Sequence, residues 1–195
     1  MKVLLHQCCG PCSLYPLKKL KEQGFDITGF FYNPNIHPYH EFYKRLENTL
    51  LVDKYFNIPY IYDETYGLTE FFKFKDVPKN IRCSYCYEVR LEKTALYAKE
   101  NSFDGFTSTL LYSKYQNHEH IVDISKKLQE KYNIRFVYYD FREGWKEGIN
   151  MSKELEIYRQ QYCGCIYSEM ERYQYQLPKQ LKEKFLQTSI SLNNN

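Results

Sequence analysis

The chain has 195 residues, with 27 Lys and Arg against 24 Asp and Glu, a formal net charge of +3. Hydrophobic residues make up 43% and charged residues 26%, a balance that builds a folded core and argues against disorder. No apolar run approaches the roughly 18 residues of a membrane span, and the opening MKVLLHQCCGPC lacks the roughly 7–15 apolar residues of a secretory signal. The expectation is therefore a cytoplasmic protein with no membrane attachment.

In chain order, Lys2 to Gln7 reads as a short buried strand, followed by the CCGPC run and a helix from Ser13 to Gln23 that stops at Gly24. Ile27 to Tyr32 is a second strand, halted by Asn33-Pro34-Asn35. Phe42, Leu46, Leu50 and Val52 give a helical period over Tyr39 to Phe56. A third strand is expected at Ile58 to Tyr62 and a short helix at Leu68 to Lys75. Cys83-Ser84-Tyr85-Cys86 opens a long helix to Glu100, with Leu91, Ala95, Leu96 and Ala98 on its apolar side. Phe106 to Leu111 is a strand, Asn117 to Tyr132 a helix and Ile134 to Tyr139 a strand. Further helix is expected over 151–160 and again after Ser168.

Strand and helix alternate throughout, which calls for a mainly parallel α/β sheet with helices on both faces. Such sheets bind ligands beyond the carboxyl ends of their strands, where the CCGPC run falls. No repeat or linker divides the chain. The reading is one α/β domain over residues 1–188, with C-terminal helices, and a disordered tail over 189–195.

Seven cysteines fall in three short clusters, which scattered core thiols would not do. An odd number without a secretory signal argues against a disulfide scaffold and for metal binding or thiol redox chemistry. Cys8, Cys9 and Cys12 surround Gly10 and Pro11 in a forced turn, so their sulfurs converge at a helix start, where thiolates are favoured. Cys83 and Cys86 form a CxxC, which suits either a redox pair or half of a metal site. Two thiolates from each cluster supply four ligands, enough for an iron–sulfur cluster or a tetrahedral zinc. Cys163-Gly164-Cys165 is different. A disulfide across one residue is strained and easily reduced, so this pair reads as a redox-active dithiol, with metal ligation the alternative.

Weaker candidates are His6, His37, His40, His118 and His120, the turn Ser113-Lys114-Tyr115-Gln116, and Arg159, Gln160 and Gln161. For each, a satisfied or solvated side chain is the simpler reading. The Walker and GxGxxG glycine patterns are missing. With 21 Tyr and 13 Phe, aromatics serve mainly as packing, and a charge of +3 permits nucleic acid only through a local basic patch.

Together LLHQCCGPC, NPNIHP, RCSYCYEVRLEKTA, FDGFTSTLLYSKYQNHEHI and YRQQYCGCIYS resemble the QueH-type epoxyqueuosine reductases, over residues 3 to 173. The resemblance implies a Rossmann-like fold akin to the nucleotide α-hydrolases. It implies cobalamin-independent reduction of the epoxide of epoxyqueuosine, at the wobble position of a tRNA anticodon, to queuosine. It implies a [4Fe-4S] cluster on Cys8, Cys9, Cys83 and Cys86, a redox pair at Cys163 and Cys165, and an electron donor. An additional iron ion next to the cluster would take Cys12 as ligand, at a position where relatives can carry Asp. The rival readings are a cysteine-ligated zinc protein, a thiol–disulfide oxidoreductase, and an ATP-dependent tRNA sulfur transferase, the last disfavoured by cysteines where a pyrophosphate loop needs glycine and serine.

Overall fold

The computed structural model describes residues 1–176. Residues 189–195, expected as a tail, lie outside the described part. Five parallel strands form one sheet in the order β3-β2-β1-β4-β5: β1 Lys2–His6, β2 Asp26–Phe31, β3 Tyr60–Tyr62, β4 Gly105–Ser108 and β5 Arg135–Phe136. Val3, Leu4 and Leu5 of the central strand are fully buried, as expected for a parallel strand covered on both faces. Helix α1 (Gly10–Glu22) packs on α2 (Tyr39–Tyr55) and α6 (Trp145–Glu154), while α4 (Lys79–Glu100) packs on α5 (His118–Tyr132). Short helices α3 (Leu68–Phe72) and α7 (Ile166–Tyr173) complete the set among the described residues. None of the described helices is long and apolar enough to cross a membrane.

The Rossmann-like alternation is as read from the sequence, and the differences lie at boundaries. Helix α1 starts at Gly10, because Pro11 fits a first turn that needs neither its N–H nor a free φ. Helix α4 starts at Lys79, directly after Pro78, so Cys83 and Cys86 sit one turn inside it and not at its opening. β4 ends at Ser108, whose Oγ accepts from the Leu110 N–H and turns Thr109–Tyr112 into a 3-10 turn. The helix expected over 151–160 lies at Trp145–Glu154 instead. The segment after it stays irregular because side chains of α2 bind its backbone: Asn48 Oδ1 accepts from the Tyr158 N–H at 2.9 Å.

The strand order sets the functional geography. β1 connects through α1 to one neighbour, and β4 through α5 to the other side, so the chain diverges between the carboxyl ends of β1 and β4. That is the topological switch point of an open α/β sheet. The two strand ends are tied there: His6 Nδ1 pairs with Ser108 Oγ at 2.8 Å, and the Cys8 N–H donates to Thr109 Oγ1 at 2.9 Å.

Candidate active site

Cys8, Cys9 and Cys12 occupy this switch point. Cys9 is extended and caps α1 without a side-chain hydrogen bond, and the first turn of α1 carries no acidic residue. The turn is pressed onto α2: a Cβ at Gly10 would lie 2.5 Å from the Asn48 carbonyl oxygen, so only glycine fits. All three thiols are free and buried, and their sulfurs lie within 4.8 Å of one another. Thr109 Oγ1 donates to Cys8 Sγ at 3.3 Å. Hydrogen bonds from Cys12 and Cys9 hold the Cys8 pKa well below that of an ordinary thiol, whereas burial pushes Cys9 up. Convergent soft donors in a buried pocket suit a thiophilic metal. The 3.8 Å between Cys8 Sγ and Cys9 Sγ matches about 3.8 Å for the edge of a tetrahedron with metal–sulfur bonds of about 2.3 Å.

Cys83 and Cys86 are not members of that group. Cys86 is buried on α4 and Cys83 is half-buried. Burial pushes the Cys86 thiol up to about 12, against the pull of Arg90, and the charges of Cys165, Cys163 and Cys83 push it the same way. The CxxC therefore shares its surroundings with the CGC segment. Cys163 is exposed, Cys165 half-buried, and both are free. Thiolates on a cubane cluster bind different irons, so they stand farther apart than thiolates on one ion. The triad as it stands has single-ion spacing, and a cubane cluster held jointly with the CxxC would need Cys8 Sγ and Cys9 Sγ to move apart.

A cleft of about 610 Å³ opens onto Cys8, Cys12 and Cys163, within the about 300–1,000 Å³ usual for small-molecule sites. One wall is aromatic. Tyr112 stacks on Trp145 at 5.1 Å, and Tyr115, almost fully exposed, meets the edge of Trp145 at 5.6 Å. Gln160 Nε2 donates to Cys12 Sγ at 3.4 Å. Two buried arginines face the same space. Arg45 is ion-paired with Glu41 at 2.7 Å. Arg90 donates from Nε to the Cys86 carbonyl at 2.6 Å and has no carboxylate partner among the described residues. A buried guanidinium without a carboxylate favours anionic sulfur nearby.

Ser113, Tyr115, Gln116, Arg159, Gln160 and Gln161 line the cleft, where solvated side chains were the simpler expectation. None of the five histidines does. His6 bonds to Ser108, His118 to Tyr138 and His120 to Ser84; His37 is buried and His40 exposed. Arg45, Arg90, Tyr112 and Trp145 were not foreseen. The available signal was an arginine beside a buried leucine on a helix, Arg90 next to Leu91.

Fold and site together define a Rossmann-type α/β protein with a thiol-lined cleft at its switch point. The family model described as "Epoxyqueuosine reductase QueH" matches residues 3–171, and the chain belongs to this family of oxidoreductases. It is 38% identical over 172 residues to the epoxyqueuosine reductase QueH of Dehalococcoides mccartyi, covering 88% of this chain and 94% of that one. It is 39% identical over 180 residues to that of Thermotoga maritima, with 87% and 91% covered. Among solved structures, a predicted subunit of tRNA methyltransferase from Methanocaldococcus jannaschii shares the fold, with a TM-score of 0.54 at 15% identity, over 79% of this chain and 75% of that one.

Proposed function

We propose that the chain reduces the epoxide of epoxyqueuosine in tRNA to the alkene of queuosine, acting in the cytoplasm. The observation that carries this reading is that Cys8, Cys12 and Cys163 open onto one cleft, so a buried thiol cluster and a paired thiol face the same bound group. Cys8, Cys9, Cys83 and Cys86 would hold a [4Fe-4S] cluster, and Cys12 an adjacent iron. When bound, these centres supply Lewis-acid polarisation of oxygen and one-electron transfer.

The protein's own part is as follows. Cys163 and Cys165 hold the two electrons. Their dithiol closes to a disulfide and releases two protons and two electrons; the epoxide takes up both pairs, loses its oxygen as water and becomes the alkene. An external dithiol then reopens the disulfide by exchange, so the cycle balances. Arg90 compensates anionic sulfur in the cleft. Trp145 and Tyr115 offer faces on which an extruded base stacks, and Lys114, whose Nζ lies 5.8 Å from the Trp145 ring centre, is placed for a phosphate.

Anaerobic purification followed by iron, sulfide and zinc analysis tests the reading. Sulfide near four with broad absorbance around 400 nm supports the cluster, and iron about one in excess of sulfide supports the adjacent ion on Cys12. Cys163→Ser and Cys165→Ser should keep that chromophore and stop turnover. A second reading, a single zinc on the Cys8 cluster, is favoured by the 3.8 Å sulfur spacing; zinc alone, without sulfide even after reconstitution, would put it first.

A further inference from the structure

The CGC segment belongs to no regular element, yet three hydrogen bonds from Arg45 and His37 hold its backbone and that of Tyr162 before it. Arg45 Nη1 donates to the Cys163 carbonyl and Nη2 to the Tyr162 carbonyl, each at 2.9 Å. The His37 N–H donates to the Gly164 carbonyl at 2.7 Å, and Tyr162 Oη returns a hydrogen bond to the His37 carbonyl at 2.7 Å. Arg45 is itself fixed, because its Nε donates to Glu41 Oε1 and its side chain is only 2% exposed. Between the two thiols, Gly164 has φ +137°, and a Cβ there would lie 3.0 Å from Arg45 Nη1. The guanidinium fork thus occupies the space that a side chain at the middle residue would need.

A ring closed across one intervening residue demands a particular backbone, and a freely moving CGC would have to find it at each cycle. We infer that Arg45 is a positioning residue for the Cys163/Cys165 pair, holding the Tyr162 and Cys163 carbonyls so that the two thiols close to a disulfide on a pre-set backbone. This rests on the dithiol reading above. Closure is the two-electron oxidation of two thiols to one disulfide, with two protons released; in the test, oxidised dithiothreitol accepts the electrons. Lysine at position 45 keeps the charge and loses the planar fork that reaches two carbonyls at once.

The test equilibrates the purified full-length protein with fixed ratios of oxidised to reduced dithiothreitol. After acid quench and alkylation, the tryptic peptide from Gln160 to Arg172, which holds only these two cysteines, is weighed. Arg45→Lys should lower the equilibrium constant for closure about tenfold, the loss of one to two charge-assisted hydrogen bonds. A purely structural role would lower the melting temperature and leave that constant unchanged. If the wild type forms the disulfide and Arg45→Lys matches it, the Arg45 assignment is overturned while the dithiol reading stands. If the active wild type never forms it, both fall. Should Arg45→Lys fail to fold, Glu41→Gln, which removes the charge anchoring Arg45 and keeps an acceptor for Nε, is measured the same way; unchanged closure there overturns the assignment.

Discussion

The two thiol regions that meet at the cleft are built in opposite ways. Cys8, Cys9 and Cys12 stand where a central strand turns into a helix, buried and pressed against α2. Cys163 and Cys165 stand on an irregular strap, partly open to solvent, held by side chains from elsewhere in the chain. A group that keeps a metal must hold its donors still, and regular structure does this through the backbone. A pair that opens and closes needs local freedom within fixed limits, which a loop with a left-handed glycine and clamped carbonyls supplies.

The sharpest way to break this contrast is to remove one sulfur from each side. Cys163→Ser should abolish turnover and leave metal content and spectrum unchanged, whereas Cys8→Ser should lose both; equal loss of chromophore in the two variants would make the strap part of the metal centre. The stillness of the first region is probed next. Asp53 lies beneath the turn, accepting from Gln7 Nε2 at 2.6 Å, and burial raises its pKa to about 7, against that hydrogen bond. The folded state then binds more protons than the unfolded state between pH about 4 and about 7, so stability from this group falls as pH rises through that window. The rise to about 7 bounds the loss at about 4 kcal/mol. Asp53→Asn keeps an acceptor and should flatten the pH profile of urea unfolding there; an unaltered profile would contradict it.

On the side proposed to meet RNA, the chain's one tryptophan, Trp145, reports on the cleft. An anticodon stem-loop should quench its fluorescence, and Tyr115→Ala should weaken binding about tenfold, given about 1–3 kcal/mol per stacked base. The smallest effect is electrostatic. Lys114→Gln should reduce the slope of log affinity against log salt by about one, and no change would remove Lys114 from the phosphate contacts.

The alternation of strands and helices was legible because β1 carries a continuous apolar run, Val3-Leu4-Leu5, and the longer helices keep their period. The thiol clusters were legible because all seven cysteines of the chain fall in them. The clamp was not. Glu41, Arg45 and Asn48, at helical spacing, have the residue types of a solvated face, yet all three are buried. Their partners lie 110–118 residues away in sequence, so no local pattern announces them. The start of α4 was missed for a related reason: the CxxC drew attention to Cys83, while Pro78 is what ends the preceding loop.

Helix α2 contributes no sulfur, but it acts as the gauge between the two chemistries. Asn48 touches both: its carbonyl oxygen abuts Gly10 in the first turn and its side chain receives the Tyr158 N–H of the strap. A substitution there that leaves every thiol in place should still change the distance between the two thiol regions. One helix face is therefore tied to both thiol regions at once, and a shift of α2 moves them together.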